Sequence, residues 1–348
     1  MRAIVLVGGE GTRLRPLTWR TPKALVPVLN RPLLDHLLLH LRDHGVTQVT
    51  LALTKRNEAI RAAFGDGSRL GLAVDYAYED TPLGSGGAIA SIAAGWTETF
   101  LVCNGDIITG LDVTAMLQSH RDRRAELSIS LHEVDDPSPF GVVDLAPDGR
   151  IRRFVEKPKR EEAPSRLINA GTWIFEPHLL AEMDPTTFNR VEDTLFPRLA
   201  DAGRPIFGFH RPSYWADVGN APALLRVNLE MVAGALPARL PSPAPADTVL
   251  VASDATIEAG ARVAGPAVIG VGCRIGAGAE VRDSVLWDGV TIGPRARVLR
   301  STLATGVSIG ADADIEDCVI AHGVTVDAGQ HLSGVAIEPA GSTEAPAR

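Results

Sequence analysis

The chain has 348 residues, 45% of them apolar and 22% charged, a composition ordinary for a soluble protein with room for two or three domains. Its net charge of −8 argues against a general nucleic-acid binder, which would carry a basic field. Three widely spaced cysteines (Cys103, Cys273, Cys318) fit a reducing compartment, with neither a disulfide framework nor zinc spacing. No apolar run is long enough to span a bilayer, and no leader pattern precedes the first strand. The expectation is a cytoplasmic protein with no membrane or nucleic-acid partner.

Up to about residue 230, short apolar runs alternate with helical patterns. The predicted strands are Ala3–Val7, Gln48–Leu53, Ala73–Tyr78, Phe100–Cys103 and Leu127–Glu133. Between the first two, Leu33, Leu34, Leu37, Leu38 and Leu41 recur at helical spacing, predicting a helix over 31–44 that Gly45 stops. This alternation predicts an α/β fold, a Rossmann-like and mostly parallel sheet with helices on both faces. In such sheets the ligand sits at the carboxyl ends of the strands. The loop GGEGTRLRPLT follows the first strand at that end.

Its glycines, Gly8, Gly9 and Gly11, permit positive φ and a close approach of backbone N–H groups to an anion. Thr12 adds a hydroxyl, and Arg13 and Arg15 add forked donors suited to phosphate. Lys23 follows ten residues after Arg13, between Pro22 and Pro27. The spacing is neither GxxxxGK[ST] nor GxGxxG, so the set reads as a phosphate site of another kind.

Residues 236–247, LPARLPSPAPAD, read as a linker. After it, aliphatic residues recur at hexad spacing: Val251, Ile257, Val263, Ile269, Ile275 and Val281 are six apart. Leu286, Ile292 and Val298 continue after a step of five, and so do Leu303, Ile309 and Ile315, then Ile320, Val326 and Leu332, with Ile337 opening another set. Three short faces per coil, each with one inward aliphatic residue, predict a parallel β-helix of roughly five coils over 248–338, followed by a tail at 339–348. The hexad resembles the left-handed β-helix family.

The first 230 residues resemble the sugar-nucleotide pyrophosphorylases, nucleotidyltransferases that act on sugar 1-phosphates. The resemblance rests on GGEGTRLRPLTWRTPKALVPVLNRPLL, then PLGSGGA at 82–88, NGD at 104–106, FGVV at 140–143, EKP at 156–158, NAG at 169–171 and WADVG at 215–219, in that order. It implies the reaction of a nucleoside triphosphate with a sugar 1-phosphate to give a nucleotide sugar and pyrophosphate. Arg13 and Lys23 are the implied catalytic residues. Val7, Gly8, Gly9, Gly11, Thr12, Arg13, Pro82, Gly84, Gly86 and Gly105 are the implied nucleotide contacts. Gly141, Glu156, Lys157, Asn169 and Glu192 are assigned to the sugar phosphate, although Glu192 also reads as an acid at a helix N-terminus. Asp106 and Asp217 are the implied Mg²⁺ pair. An aspartate after a strand is by itself more often a cap than a ligand.

PLGSGGA resembles the form seen in mannose-1-phosphate guanylyltransferases, which favours GTP and mannose 1-phosphate. Thymidylyl or uridylyl transfer to glucose 1-phosphate, and guanylyl transfer to another hexose or heptose, stay open. A silent regulatory subunit would be expected to lack Arg13, Lys23 or an aspartate, and all are present. Acyl transfer by the β-helix would need a catalytic histidine. His322, near a corner, is expected to face solvent. The β-helix is expected instead to support a homo-oligomer, a dimer or larger.

Overall fold

The computed structural model describes residues 1–54, 57–236 and 248–339. Except for their first residues, the expected linker (236–247) and tail (339–348) lie outside the described residues. The chain divides into two compact units, one of Met1–Gly9 with Leu37–Trp215, the other of Glu10–His36 with the chain from Ala216 onward. Among the described residues no helix is long and apolar enough to cross a membrane.

The strands of the first unit are β1 (Arg2–Leu6), β2 (Gln48–Leu53), β3 (Ala73–Tyr78), β4 (Phe100–Asn104), β5 (Leu127–Glu133), β6 (Gly141–Leu145), β7 (Ile151–Glu156), β8 (Leu167–Phe175) and β9 (Ile206–His210). They form one sheet in the order β7-β6-β8-β4-β1-β2-β3, with β5 on β8 and β9 on β5. The block β4-β1-β2-β3 is parallel, and β8 enters beside β4 antiparallel. Ala3, Ile4 and Val5 of β1, and Phe100–Cys103 of β4, are buried, as expected for strands covered on both faces.

Among the described residues the α-helices are α1 (Leu33–Asp43), α2 (Glu58–Phe64), α3 (Gly84–Ile92), α4 (Val113–Asp122), α5 (Leu195–Asp201) and α6 (Ala221–Val232). α1 starts two residues later than expected, because Arg31–Pro32 pairs with Pro27–Val28 as a hairpin. The five leucines at helical spacing, Leu33, Leu34, Leu37, Leu38 and Leu41, are buried, and Gly45, at φ 82°, follows its end. Phe175 and Phe196 pack with Trp173 in the core, the Trp173 and Phe196 rings meeting edge to face at 5.2 Å.

In the second unit the hexad expectation holds position by position. Val251, Ile269, Leu286, Leu303, Ile320 and Ile337 are successive register partners in one sheet of a parallel β-helix. The columns Ile257–Val326 and Val263–Leu332 form the other two sheets in the same way. Most of these residues are fully buried from Ile269 to Ile320. α6 packs on the strand Ala267–Ile269. Outside the barrel, Arg295 and Arg300 bridge to Asp312 and Asp317 one coil on, solvent-exposed pairs that add little stability.

One buried histidine makes the first unit sensitive to acid. His120 of α4 is 1% exposed, with Nδ1 2.8 Å from Ser128 Oγ and Nε2 3.2 Å from Glu176 Oε1. Burial pushes its pKa below the ordinary histidine value, against the opposing pull of Glu176. The folded state therefore binds fewer protons than the unfolded chain. Stability is full above the ordinary histidine range and falls as pH drops through it. His120→Gln, which keeps a donor for Glu176, is expected to flatten the fall in Tm between about pH 7.5 and about pH 5.5. An unchanged slope would count against His120 as a source.

Candidate active site

β1 and β4 are adjacent and parallel, so the loops after them, Val7–Gly9 and Gly105–Asp106, leave the same edge of the sheet. Gly105 N donates to Leu6 O at 2.9 Å and ties the two exits together. A Cβ at Gly105 would lie 3.0 Å from that carbonyl, which explains the glycine of NGD. At this edge lies a cavity of about 300 Å³ whose lining includes Gly8, Pro82, Gly84, Asp106 and Glu192. Thr54, Glu79 and Phe188, none of them singled out from sequence, also line it. Phe188 is 65% exposed, an aromatic face left open to solvent.

The glycines of PLGSGGA are required by a neighbouring strand of chain. Gly86 N donates to Asn189 O, and Asn189 N donates to Leu83 O, both at 2.9 Å. A Cβ at Gly84 would come within 2.4 Å of Asn189 O, and one at Gly86 within 1.8 Å of Asn189 Oδ1. The close approach brings Ser85 to Glu192, whose Oε2 accepts the Ser85 hydroxyl at 2.5 Å, while Val191 N donates to Ser85 Oγ at 3.0 Å.

Glu192 is only 8% exposed, and α5 begins three residues later, so its carboxylate turns inward and does not cap the helix. Burial raises its pKa, and the Ser85 hydrogen bond and the charge of Arg190 oppose the shift. Arg190 Nη2 lies 3.9 Å from Glu192 Oε1 and donates to Glu156 Oε1 at 3.0 Å. Lys157 Nζ reaches Glu156 Oε1 at 3.6 Å. One guanidinium thus links a carboxylate of the cavity with the carboxylate of EKP. Sequence reading missed Arg190, because an arginine two residues before an acid carries no spacing signal.

The other residues expected on the sugar side have local causes. Gly141 faces Glu156 across the β6–β7 ladder, and a Cβ there would meet Glu156 Oε2 at 2.9 Å and the Phe154 ring at 2.5 Å. Lys157 has φ 47°, a conformation rare for a side-chain-bearing residue. Asn169 Oδ1 accepts from Gly171 N at 3.1 Å and from the buried Trp173 indole at 2.7 Å. Those two bonds direct the Asn169 amide nitrogen away from them.

The remaining expected residues belong to the second unit. Gly11, at φ 63°, Thr12, Arg13 and Lys23 lie in Glu10–His36, and Asp217 ends the short strand Trp215–Asp217. A Cβ at Gly11 would meet Lys23 Cβ at 3.2 Å and Thr18 Cγ2 at 3.1 Å, so this glycine lets the loop fold back against the lysine. Arg13 and Thr12 are exposed. Gly9 has φ 145°, whereas Gly8 lacks the positive φ anticipated for it. Among the described residues no group of three or more His, Cys, Asp or Glu forms a metal cluster.

The family model described as nucleotidyl transferase matches residues 2–233, nearly the whole of the described chain before the β-helix. The chain belongs to the nucleotidyl transferase family. A second family model, the GMPPB C-terminal domain, matches residues 246–345. A mannose-1-phosphate guanylyltransferase of Mycobacterium tuberculosis is 38% identical over 83% of this chain and 80% of its own length. A UTP–glucose-1-phosphate uridylyltransferase of Synechocystis is 31% identical over 83% of each. Among solved structures, HddC from Yersinia pseudotuberculosis matches with a TM-score of 0.57 and 28% identity, over 66% of this chain and 99% of that one. HddC has also been solved in complex with GMP-PN.

The nucleotidyl transferase cavity should reveal its buried acid through stability. Ser85→Ala removes a bond that favours ionised Glu192, so the folded-state pKa rises further above its unfolded value. The loss, about 1–3 kcal/mol by urea unfolding, is expected to be larger at about pH 8 than at about pH 5. A loss independent of pH would contradict the link to Glu192.

Proposed function

We propose that the chain transfers a guanylyl group from GTP to mannose 1-phosphate, giving GDP-mannose and pyrophosphate. The observation that carries the reading is the cavity where β1 and β4 end, with a glycine loop on one side and Asp106 on the other. The guanylyl choice is supported by PLGSGGA and by the names of the mycobacterial and plant relatives, the latter a probable mannose-1-phosphate guanylyltransferase 1 of Oryza sativa at 36% identity. The Synechocystis relative supports a second reading, uridylyl transfer to glucose 1-phosphate.

A sugar phosphate oxygen attacks the α-phosphorus. The bond from that phosphorus to the β-phosphate oxygen breaks, and pyrophosphate carries away the charge. The nucleophile is already anionic, so the protein's task is positioning and charge neutralisation rather than proton removal. In this reading Val7, Gly8, Gly9, Gly11 and Thr12 hold the triphosphate, and Arg13 stabilises the leaving pyrophosphate. Pro82, Gly84, Gly86 and Gly105 shape the nucleotide side, and Phe188 offers a ring face at the cavity. Lys23 and Lys157 draw the two phosphates together. Glu156, Asn169, Gly141 and Glu192 hold the sugar, with Arg190 setting the two carboxylates.

Asp106 and Asp217 supply carboxylate oxygens, the donor type Mg²⁺ takes when one or two protein ligands are completed by substrate phosphates and water. When bound there, the ion supplies neutralisation of phosphate charge. We assign catalysis to residues 1–235 and a supporting role to the β-helix over 248–338, in a cytoplasmic homo-oligomer. Val251 and Ile257, exposed on the first coil, fit an end covered by another copy.

Arg13→Ala is expected to cut turnover by about 10²-fold or more, with Tm nearly unchanged because the side chain is exposed. Asp106→Asn is expected to abolish metal-dependent pyrophosphate release. Near-normal turnover in either variant would remove that assignment. A monomeric mass by light scattering at micromolar concentration would count against the oligomer.

A further inference from the structure

The segment that carries Arg13 and Lys23 is fastened to α6 at one place and to the β-helix at three, all within the second unit. The tight hairpin at Leu29–Asn30 has φ of 51° and 58°, and the Asn228 side chain of α6 accepts Leu29 N at 2.9 Å. Asn30 Nδ2 donates to Ile269 O of the first coils at 2.9 Å. Trp19 Nε1 donates to Glu338 Oε2, beyond the last coil, at 2.9 Å. Between them stands His322, 9% exposed and therefore not the solvent-facing corner residue anticipated from the hexad register.

His322 Nε2 lies 3.0 Å from Leu17 O and 3.1 Å from Thr21 Oγ1. A carbonyl can only accept, so Nε2 carries the proton and donates, with the threonine oxygen as a second acceptor. The Trp287 ring of an earlier coil meets the imidazole edge to face at 5.3 Å and limits its rotation. Leu17 and Thr21 fall between Arg13 and Lys23 in sequence. The bond therefore holds the chain that separates the two cations.

We propose that His322 is a positioning residue for nucleotidyl transfer, through which the β-helix sets the geometry of the loop bearing Arg13 and Lys23. The inference rests on the reading of that loop as the triphosphate site. It gives the β-helix a part in the reaction besides self-association.

The test compares the full-length wild type with His322→Ala and His322→Gln, the glutamine amide being able to replace the Nε2–H donor. Hydrogen exchange over residues 10–27 is read alongside steady-state pyrophosphate release and Tm. In His322→Ala, exchange in this segment is expected to quicken while the inner coils stay protected, with kcat/KM for the nucleotide falling tenfold or more. Glutamine should restore both. If His322→Ala fails to fold, Trp19→Phe, which removes the tie to Glu338 and keeps a ring face for the Arg15 guanidinium, is expected to show the same loop signature in weaker form. Wild-type kinetics and exchange in His322→Ala, or a loss confined to Tm, would overturn the proposal. A wild type that handles no nucleotide would instead remove the loop assignment itself, and faster loop exchange alone would then not count as support.

Discussion

Burying a carboxylate costs several kcal/mol unless hydrogen bonds and a nearby cation replace the lost water. Glu192 meets that requirement with Ser85 on one side and Arg190 on the other. Much of the cavity follows from this. Ser85 reaches the acid only because the flanking glycines leave room for Asn189, and Arg190 reaches back to Glu156 from the same short segment. A side chain at Gly84 or Gly86 would push Asn189 away and remove Ser85 from its acceptor. The glycines of PLGSGGA are thus packing residues first, and the nucleotide contact proposed for them depends on the shape they permit.

In the second unit a different constraint operates. A loop of about 25 residues with prolines at Pro16, Pro22 and Pro27 and several 3₁₀ turns buries little on its own and needs fixed partners to keep a geometry. The β-helix provides them. Its coils repeat a rigid register, so Ile269, His322 and Glu338 are set along one scaffold, and the loop hydrogen-bonds to each of them. Leu14 and Leu17 are fully buried, while Arg13 and Arg15, on either side of Leu14, stay exposed. Rigid support beneath a charged loop is how a site limits the reorganisation required when charge moves in the reaction.

Periodicity made a good deal of this legible. β2, β3 and β5 begin and end where the apolar runs do, and every aliphatic position of the hexad series occupies its expected column. Local repetition is what a sequence displays directly. The entry of antiparallel β8 beside β4 was not legible, since strand order depends on pairing between distant segments. Nor were the Ser85–Glu192 bond, 107 residues apart in the chain, and the His322–Leu17 bond, 305 apart. His322 was expected outside because the hexad register distinguishes barrel interior from exterior and is blind to a segment laid over the outer face. The hydrogen bond that the Trp173 indole donates to Asn169 Oδ1 supplies a reason for an indole at that position.

The central claim is that this nucleotidyl transferase joins GTP to mannose 1-phosphate. The most direct measurement is pyrophosphate release with Mg²⁺, offering GTP, dTTP, UTP, ATP and CTP in turn against mannose 1-phosphate and glucose 1-phosphate. The account predicts release with GTP and mannose 1-phosphate well above every other pair. Release preferring another nucleotide or glucose 1-phosphate would contradict the assigned specificity while leaving the in-line reaction standing, and no release with any pair would contradict the account as a whole.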